Sequence, residues 1–471
     1  MLKLALPGGD LRTAAAEALE AAGLTSPGYA EGSRSLRLEL GGREGIVERV
    51  FREKDIPIQV TLGNYHVAIC GDPWVQEFLA RHPDEGLIRL RPLAFGQTRV
   101  VLAAPTETVS RLGPLEDWPR WSGIRIATEF PFAAERLVRS LRLPRARVLA
   151  LWGAAEAYPP EDAEACLIAL TDDEPLRRLG LTVLATISDA PAWLIASRSA
   201  LASLDLSPVL SPLLSLPVVE PPSAIPAPRV RRYTAAEPIP VSRSDLVRFA
   251  VPDGHAQRHT YQALLDAGIS FDGYEEKTYI RRPRTEIPGL EVKVIRPQDM
   301  PAAVAQGSFD LAATGRDLLL DHQYAFPSTP VVEVADLHRS RYMLSAVVSE
   351  DLPASTIEEA VICWRQQGRE TIRIASENPH LADHYARNAQ IGRYSIMPVA
   401  GASEGFVPED CEILIEGTET GRSLIANKLK VIDQIAVSTN CLIARQDWPL
   451  SPGARVIGDL IERLRRVPAP A

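Results

Sequence analysis

Cysteine is scarce in this chain of 471 residues: Cys70, Cys166, Cys363, Cys411 and Cys441 lie far apart, without a CxxC pair. That gives no zinc or disulfide framework and suits a reducing compartment. No run of lysine or arginine stands out, and with a formal net charge of −9 the composition argues against a nucleic-acid surface. No uninterrupted apolar run approaches membrane-spanning length. The short stretch Met1–Pro7 is too brief for a signal peptide and reads as a first strand. A cytoplasmic protein without membrane contact is the expectation. What is present, 46% hydrophobic and 24% charged residues, is ordinary globular composition with ample core for about two to four domains.

Much of the chain is written twice. Arg52-Glu53-Lys54-Asp55-Ile56-Pro57 returns as Arg296-Pro297-Gln298-Asp299-Met300-Pro301, an offset of 244. Arg125-Ile126-Ala127-Thr128 returns as Arg373-Ile374-Ala375-Ser376, an offset of 248. Gly28-Tyr29 with Gly273-Tyr274, and Leu194-Ile195-Ala196 with Leu442-Ile443-Ala444, keep the order and nearly the register. A period this long means a duplicated domain and not a stacked solenoid. Between the copies, residues 217–243 are dense in proline, and such a stretch reads as a semi-rigid extended linker. The expected organisation is a first copy at 1–216, the linker at 217–243 and a second copy at 244–471.

Within each copy, strand-like apolar runs alternate with amphipathic stretches: Leu2–Leu6 leads into Leu11–Ala22, Leu246–Val251 into Thr260–Ala267, Val67–Cys70 into Trp74–Ala80, and Gly123–Thr128 into Phe132–Ser140. That alternation is the α/β signature. Each copy carries an early run and a later one, so each is expected to be a two-lobe α/β unit of periplasmic-binding-protein-like type with a ligand cleft between its lobes.

The sharpest local feature spans Cys411 to Leu424, where the apolar strand Ile413-Leu414-Ile415 runs through Glu416-Gly417 into Thr418-Glu419-Thr420-Gly421-Arg422-Ser423 and then a helical stretch, Leu424–Leu429. Small hydroxylated residues and glycine ahead of a helix present backbone amides and hydroxyls to an anion, and glycine permits close approach. From the pattern alone this is either a monophosphate cradle or an ordinary helix N-cap with Thr and Ser as capping residues.

On these motifs the sequence resembles ATP phosphoribosyltransferase of histidine biosynthesis, in two tandem copies. The first copy carries the resemblance in Leu4-Ala5-Leu6-Pro7, Arg52 with Asp55-Ile56-Pro57, Phe95-Gly96-Gln97-Thr98-Arg99, Arg125–Thr128 with Pro131, and Gly153-Ala154-Ala155-Glu156. The second carries it in Asp310-Leu311, Thr314-Gly315-Arg316-Asp317 and above all Glu419–Leu424. The resemblance implies that N1 of the adenine of ATP attacks C1 of phosphoribosyl pyrophosphate (PRPP) and displaces pyrophosphate, with Mg²⁺ present. It implies a 5′-phosphate loop at Thr418, Glu419, Thr420, Gly421, Arg422 and Ser423, an acid at Glu416 near the ribose hydroxyls, and Glu404, Thr314 and Gly315 in the nucleotide and ribose region. Taken alone, Glu404 and Glu416 read equally as solvated loop carboxylates, and an exposed arginine is most often a surface charge. In Ser33-Arg34-Ser35-Leu36, Arg34 matches a family arginine that reaches across a dimer interface towards the neighbouring subunit's pyrophosphate, and Arg52 matches a second family arginine, ahead of Asp-Ile-Pro.

The copies have lost different parts. In the first, the loop position holds Thr171-Asp172-Asp173-Glu174-Pro175, where carboxylates repel a phosphate dianion, and Ile168 replaces the acid at Glu416. In the second, Tyr279 stands where Arg34 is expected to repeat, with Arg281 and Arg282 as near substitutes. Two complementary deficits leave one composite site, in an intrachain pseudo-dimer, built from the second copy's loop and the first copy's arginines. Both starts depart from the family's basic pattern, as Pro7-Gly8-Gly9-Asp10 and Pro252-Asp253-Gly254-His255, and the first copy has His66 and Cys70-Gly71 where Asp and Thr-Gly are usual. The chain resembles the short form of the family, which works with a separate histidyl-tRNA-synthetase-like regulatory subunit. Competing readings are a non-catalytic small-molecule sensor on the same scaffold, and a phosphoribosyltransferase with another acceptor base.

Overall fold

A computed structural model of the chain describes residues 1–471 except 25, 31–35, 40–44, 84–85, 218, 221–222, 224, 240–244, 402, 419–420 and 468–471, and gives only the backbone of 37 and 39. The chain forms two compact units. The first comprises Met1–Leu151, Tyr158–Val241 and Val399–Gly405; the second comprises Trp152–Ala157, Ser242–Pro398 and Phe406–Ala471.

In the first unit, one sheet has the strand order Arg37–Glu39, Ile46–Phe51, Leu2–Pro7, Val67–Cys70, Trp193–Ser197, Leu87–Pro92. Leu2–Pro7 pairs in parallel with Ile46–Phe51 and Val67–Cys70. Leu4, Ala5, Leu6, Ala68 and Ile69 are fully buried, as expected where helices cover both faces of parallel strands. A second sheet runs Leu181–Ala190, Thr98–Pro105, Ala165–Leu170, Arg125–Thr128, Arg147–Ala150. Each sheet has its own core, one around Leu4, Leu19, Ile69 and Leu213, the other around Leu102, Trp118, Ile126 and Leu167. The chain passes from the first sheet to the second between Pro92 and Thr98 and returns between Ala190 and Trp193. Two lobes joined by two crossing segments result, the arrangement the alternating pattern implied.

The second unit repeats this plan. Its sheets are Leu290–Ile295, Val247–Pro252, Leu311–Gly315, Asn440–Arg445, Val331–Asp336, and Tyr394–Pro398, Ile372–Ser376, Ile413–Thr418, Tyr342–Ser349, Leu429–Ser438. Registers match as well: Leu2 faces Ile46 in the first unit as Val247 faces Leu290 in the second. The closing helix Ala454–Arg465 turns Ile457, Leu460, Ile461 and Leu464 inward at helical spacing, which seats it on the core around Phe249 and Val292.

Each unit includes a short segment from the opposite repeat, and the same acid of the repeat holds it. In the first unit Asp55 Oδ2 accepts from the backbone N–H of Ala400 at 2.9 Å. In the second, both oxygens of Asp299 accept from Trp152 N–H, at 3.0 and 3.2 Å. The sequence boundaries did not anticipate these exchanges.

The proline-rich segment runs from one lobe of the first unit to the other. At its start Arg91 donates to the carbonyls of Leu214, Leu216 and Pro217 at 2.6–3.1 Å. Towards its end Arg231 pairs with Glu116 and Asp117, and Glu237–Pro238 adds in parallel to Trp121–Ser122. Among the described residues no helix is long and apolar enough to cross a membrane.

Candidate functional site

The loop after Ile413–Thr418 is built from the core outward. Ile413, Leu414 and Ile415 are buried, and the strand lies between Tyr342–Ser349 and Ile372–Ser376. Its end delivers Glu416, Gly417 and Thr418 to the surface half-buried. Gly417 has to be small: a Cβ there would lie 2.5 Å from the ring of Tyr342. Burial, and then the nearby Asp317 carboxylate, push the Tyr342 hydroxyl well above its ordinary pKa, so it stays protonated beneath the loop.

Thr418 Oγ1 accepts from the Gly421 N–H at 2.9 Å and so closes the loop. Gly421 has φ +67°, a left-handed conformation that suits glycine, and apart from its chain neighbours no atom of the described residues lies within 4 Å of where a Cβ would project. That face of the loop is open. The helix that follows is Arg422–Ala426, not the Leu424–Leu429 expected. Lys428 at φ +55° and the Asn427 side chain, donating to the Ser423 carbonyl at 2.9 Å, stop it, and Leu429 opens the next strand. With a helix this short, local amides and hydroxyls dominate over any macrodipole. Arg422 is exposed and makes no ion pair among the described residues. Glu419 and Thr420 lie outside the described residues.

The other expected site residues divide between the units. Glu416, Thr314 and Gly315 belong with the loop in the second. Glu416 Oε1 accepts from Gly417 N–H at 3.2 Å. Thr314 is buried and its hydroxyl donates to the Pro297 carbonyl at 2.8 Å, so it shapes the end of Leu311–Gly315 and offers nothing to a ligand. Glu404 lies on the turn Ser403–Phe406 and belongs to the first unit, as does Arg52. Arg52 is exposed, and among the described residues it makes no ion pair. Arg34 lies outside the described residues.

The first copy's loop satisfies itself. Asp172 Oδ1 accepts from the Glu174 N–H at 2.8 Å, at the start of the helix Glu174–Leu179, and Asp173 pairs with Arg99. The Glu174 N–H and Arg99 are thus held by the loop's own carboxylates. A second internal neutralisation lies in the second unit, around Asp253, which is fully buried. Arg281 donates to Asp253 at 2.8 Å and to Glu156 at 2.9 Å, and Arg296 donates to Asp253 at 3.1 Å. Burial works against the charge on Arg281, but Glu156 and Asp253 outweigh it and keep the guanidinium firmly protonated. Arg296 thus has an acid that its counterpart Arg52 lacks, because Gly8 stands at the position matching Asp253.

Sequence reasoning missed Tyr342 and the Asp253 network. For the first, a glycine at a strand end was the available signal; for the second, an acid where a base was expected.

Two stretches of the chain, residues 52–213 and 296–466, match the HisG family model, described as ATP phosphoribosyltransferase. An ATP phosphoribosyltransferase of Chlorobaculum parvum is 31% identical over 209 residues, 43% of this chain and 65% of that protein. One of Chlorobium chlorochromatii is 30% identical over 214 residues, 44% of this chain and 66% of that protein. The chain therefore spans just under two thirds of the length of these curated relatives. Among solved structures, an ATP phosphoribosyl transferase (HisG:HisZ) complex from Thermotoga maritima is 22% identical with a TM-score of 0.38, over 45% of this chain and 97% of that one.

Proposed function

This chain belongs to the ATP phosphoribosyltransferase family, and from that premise we propose that it transfers the phosphoribosyl group of PRPP to N1 of the adenine of ATP, releasing pyrophosphate, as the first step of histidine biosynthesis in the cytoplasm. The observation that carries the reading is the contrast between the two loops: Gly421 leaves one face open, whereas Asp172 and Asp173 fill the other loop from within.

In this reading the PRPP 5′-phosphate sits on Thr418, Glu419, Thr420, Gly421, Arg422 and Ser423, held by backbone N–H groups and hydroxyls. Glu416 accepts from the ribose hydroxyls and its charge favours the cationic character that develops at C1. Glu404, Thr314 and Gly315 border the nucleotide and ribose, Thr314 through backbone shape alone. Arg34 and Arg52 meet the charge that gathers on the departing pyrophosphate. No covalent nucleophile is needed; N1 of adenine forms its bond to C1 as the C1–O bond to pyrophosphate breaks, and holding two large anions in register is the main task. The reading assigns Mg²⁺ to the PRPP that it accompanies. A histidyl-tRNA-synthetase-like regulatory subunit belongs to the same proposal.

Incubating the chain with ATP, PRPP and Mg²⁺ and following phosphoribosyl-ATP by mass spectrometry tests this. Product and pyrophosphate in equal amounts support it. PRPP binding without turnover would favour the sensor reading, to which the missing basic residues at Gly8, Asp10, Asp253 and His255 point. Turnover with a different base would reassign the acceptor.

A further inference from the structure

The first unit holds a cavity of about 590 Å³ that the proposed reaction does not use. One wall is the strand Leu87–Pro92 and the helix Asp72–Arg81 of one lobe; the other is the helix Pro131–Ser140 and the strand Leu181–Ala190 of the second. Ser223 and Ile225–Pro228, from the proline-rich segment, complete the lining. That segment is anchored on both sides, through Arg91 to one lobe and through Arg231 to the other.

The lining combines apolar surface with charges of both signs, two arginines and two acids. Phe130, Leu137 and Ile225 supply apolar surface, and Arg89 and Arg136 bring one guanidinium from each lobe. Among the described residues neither arginine meets a carboxylate; Arg89 lies over the Trp193 ring at 5.0 Å. The two acids of the lining are oriented by neutral donors and among the described residues pair with neither arginine. Asp72 accepts from Trp193 Nε1 at 2.9 Å and from the Ser188 hydroxyl, and Asp189 accepts from Gln97 Nε2. In the second unit the positions matching Ala80 and Arg136 hold Tyr324 and His384, stacked 3.9 Å apart, and Glu333, at the position of Arg89, is held by Arg316 at 2.7 Å. The copy that has lost its phosphate loop carries this space, with two arginines that meet no carboxylate among the described residues.

We propose that this cavity is a binding site for a small organic anion with an aromatic or aliphatic body, its charge between Arg89 and Arg136 and its body against Phe130 and Leu137 under the proline-rich segment. The ligand would tie the lobes of the first unit together. The proposal is independent of the transferase reading.

The test titrates the full chain, saturated with PRPP and Mg²⁺, with 1-naphthoate and separately with the cation 1-naphthylmethylamine, by calorimetry and hydrogen exchange. Naphthoate should bind once per chain and slow exchange at Ser223, Ile225 and Ala227. Arg89→Ala with Arg136→Ala should weaken it by about tenfold or more, and Ala80→Tyr with Arg136→His, which installs the second unit's stacked pair, should abolish it. PRPP titrations of the same samples report separately on the phosphate loop. Naphthoate that fails to bind, that binds equally well to both variants, that leaves residues 223–228 unprotected, or that binds no better than the amine would overturn the proposal.

Discussion

The loops at Thr171–Leu179 and Thr418–Ala426 occupy the same position in two copies of one fold, yet they treat an anion in opposite ways. In the second copy Thr418 closes the turn with a hydroxyl and Gly421 leaves the face above it empty. In the first, Asp172 accepts from the Glu174 N–H and Asp173 takes Arg99, so the turn is complete without a ligand. The arginines follow the same logic in reverse: Arg296 is tied to the buried Asp253, while Arg52 makes no ion pair among the described residues. The difference teaches that a duplicated anion site is most simply retired by giving its donors an internal acid, which keeps the fold satisfied while removing the function.

The largest effect should come from making the open loop resemble the closed one. Gly421→Asp places a carboxylate beside a dianion at a left-handed position, and PRPP affinity should fall on the order of 1,000-fold; circular dichroism should show the fold retained. Asp173→Gly in the first copy should leave PRPP affinity within about twofold. Exchanged outcomes would place the working site in the other copy.

Next come the arginines. If Arg52 faces developing pyrophosphate charge, Arg52→Ala should slow turnover by roughly 30- to 1,000-fold, corresponding to about 2–4 kcal/mol, with PRPP affinity changing less. Arg34→Ala should behave alike. Arg296→Ala should leave the rate nearly unchanged and lower the stability of the second unit by at most about 1 kcal/mol, since its side chain is 42% exposed and Arg281 still holds Asp253. Steady-state kinetics beside thermal melts separate these outcomes.

The copies also differ at a buried acid. Glu48 is fully buried in the first unit, and neither carboxyl oxygen has a hydrogen-bond partner among the described residues, although proximity to Ser26 pulls its pKa down a little. Burial pushes the carboxyl up to about 7. A raised native pKa means that the folded state binds the extra proton, so its contribution is complete below the ordinary carboxyl range and fades as pH rises to about 7. Glu48→Val, the residue the second copy has as Val292, should therefore remove a pH-dependent loss of roughly 3 kcal/mol by pH 8. Denaturant melts at pH 5 and pH 8 read this directly; an unchanged slope would contradict it.

Much of this architecture could be read from the chain because its signals are local. Pro131 marks the start of the helix Pro131–Ser140, and the apolar runs at Leu2–Pro7 and Val247–Pro252 are strands within a residue of their expected bounds. Helix His255–Asp266 begins five residues before the expected Thr260, since its polar first turn carries no apolar spacing. The phosphate loop was visible as a string of Thr, Gly and Ser, but the Tyr342 ring beneath it was not, because strand pairing across some seventy residues brings them together. The segments 152–157 and 399–405 join their units through side-chain contacts, Asp299, Arg281 and Arg282 for the first and Asp55 for the second, which no periodicity reveals. Glu404 consequently belongs to a different unit from Glu416.

Calorimetric titration of the full chain with PRPP and Mg²⁺ tests the central claim, that one loop is open and the other closed, most directly. The account predicts a stoichiometry near one per chain that Gly421→Asp removes. Two equivalent sites per chain, or one that survives Gly421→Asp, would contradict it.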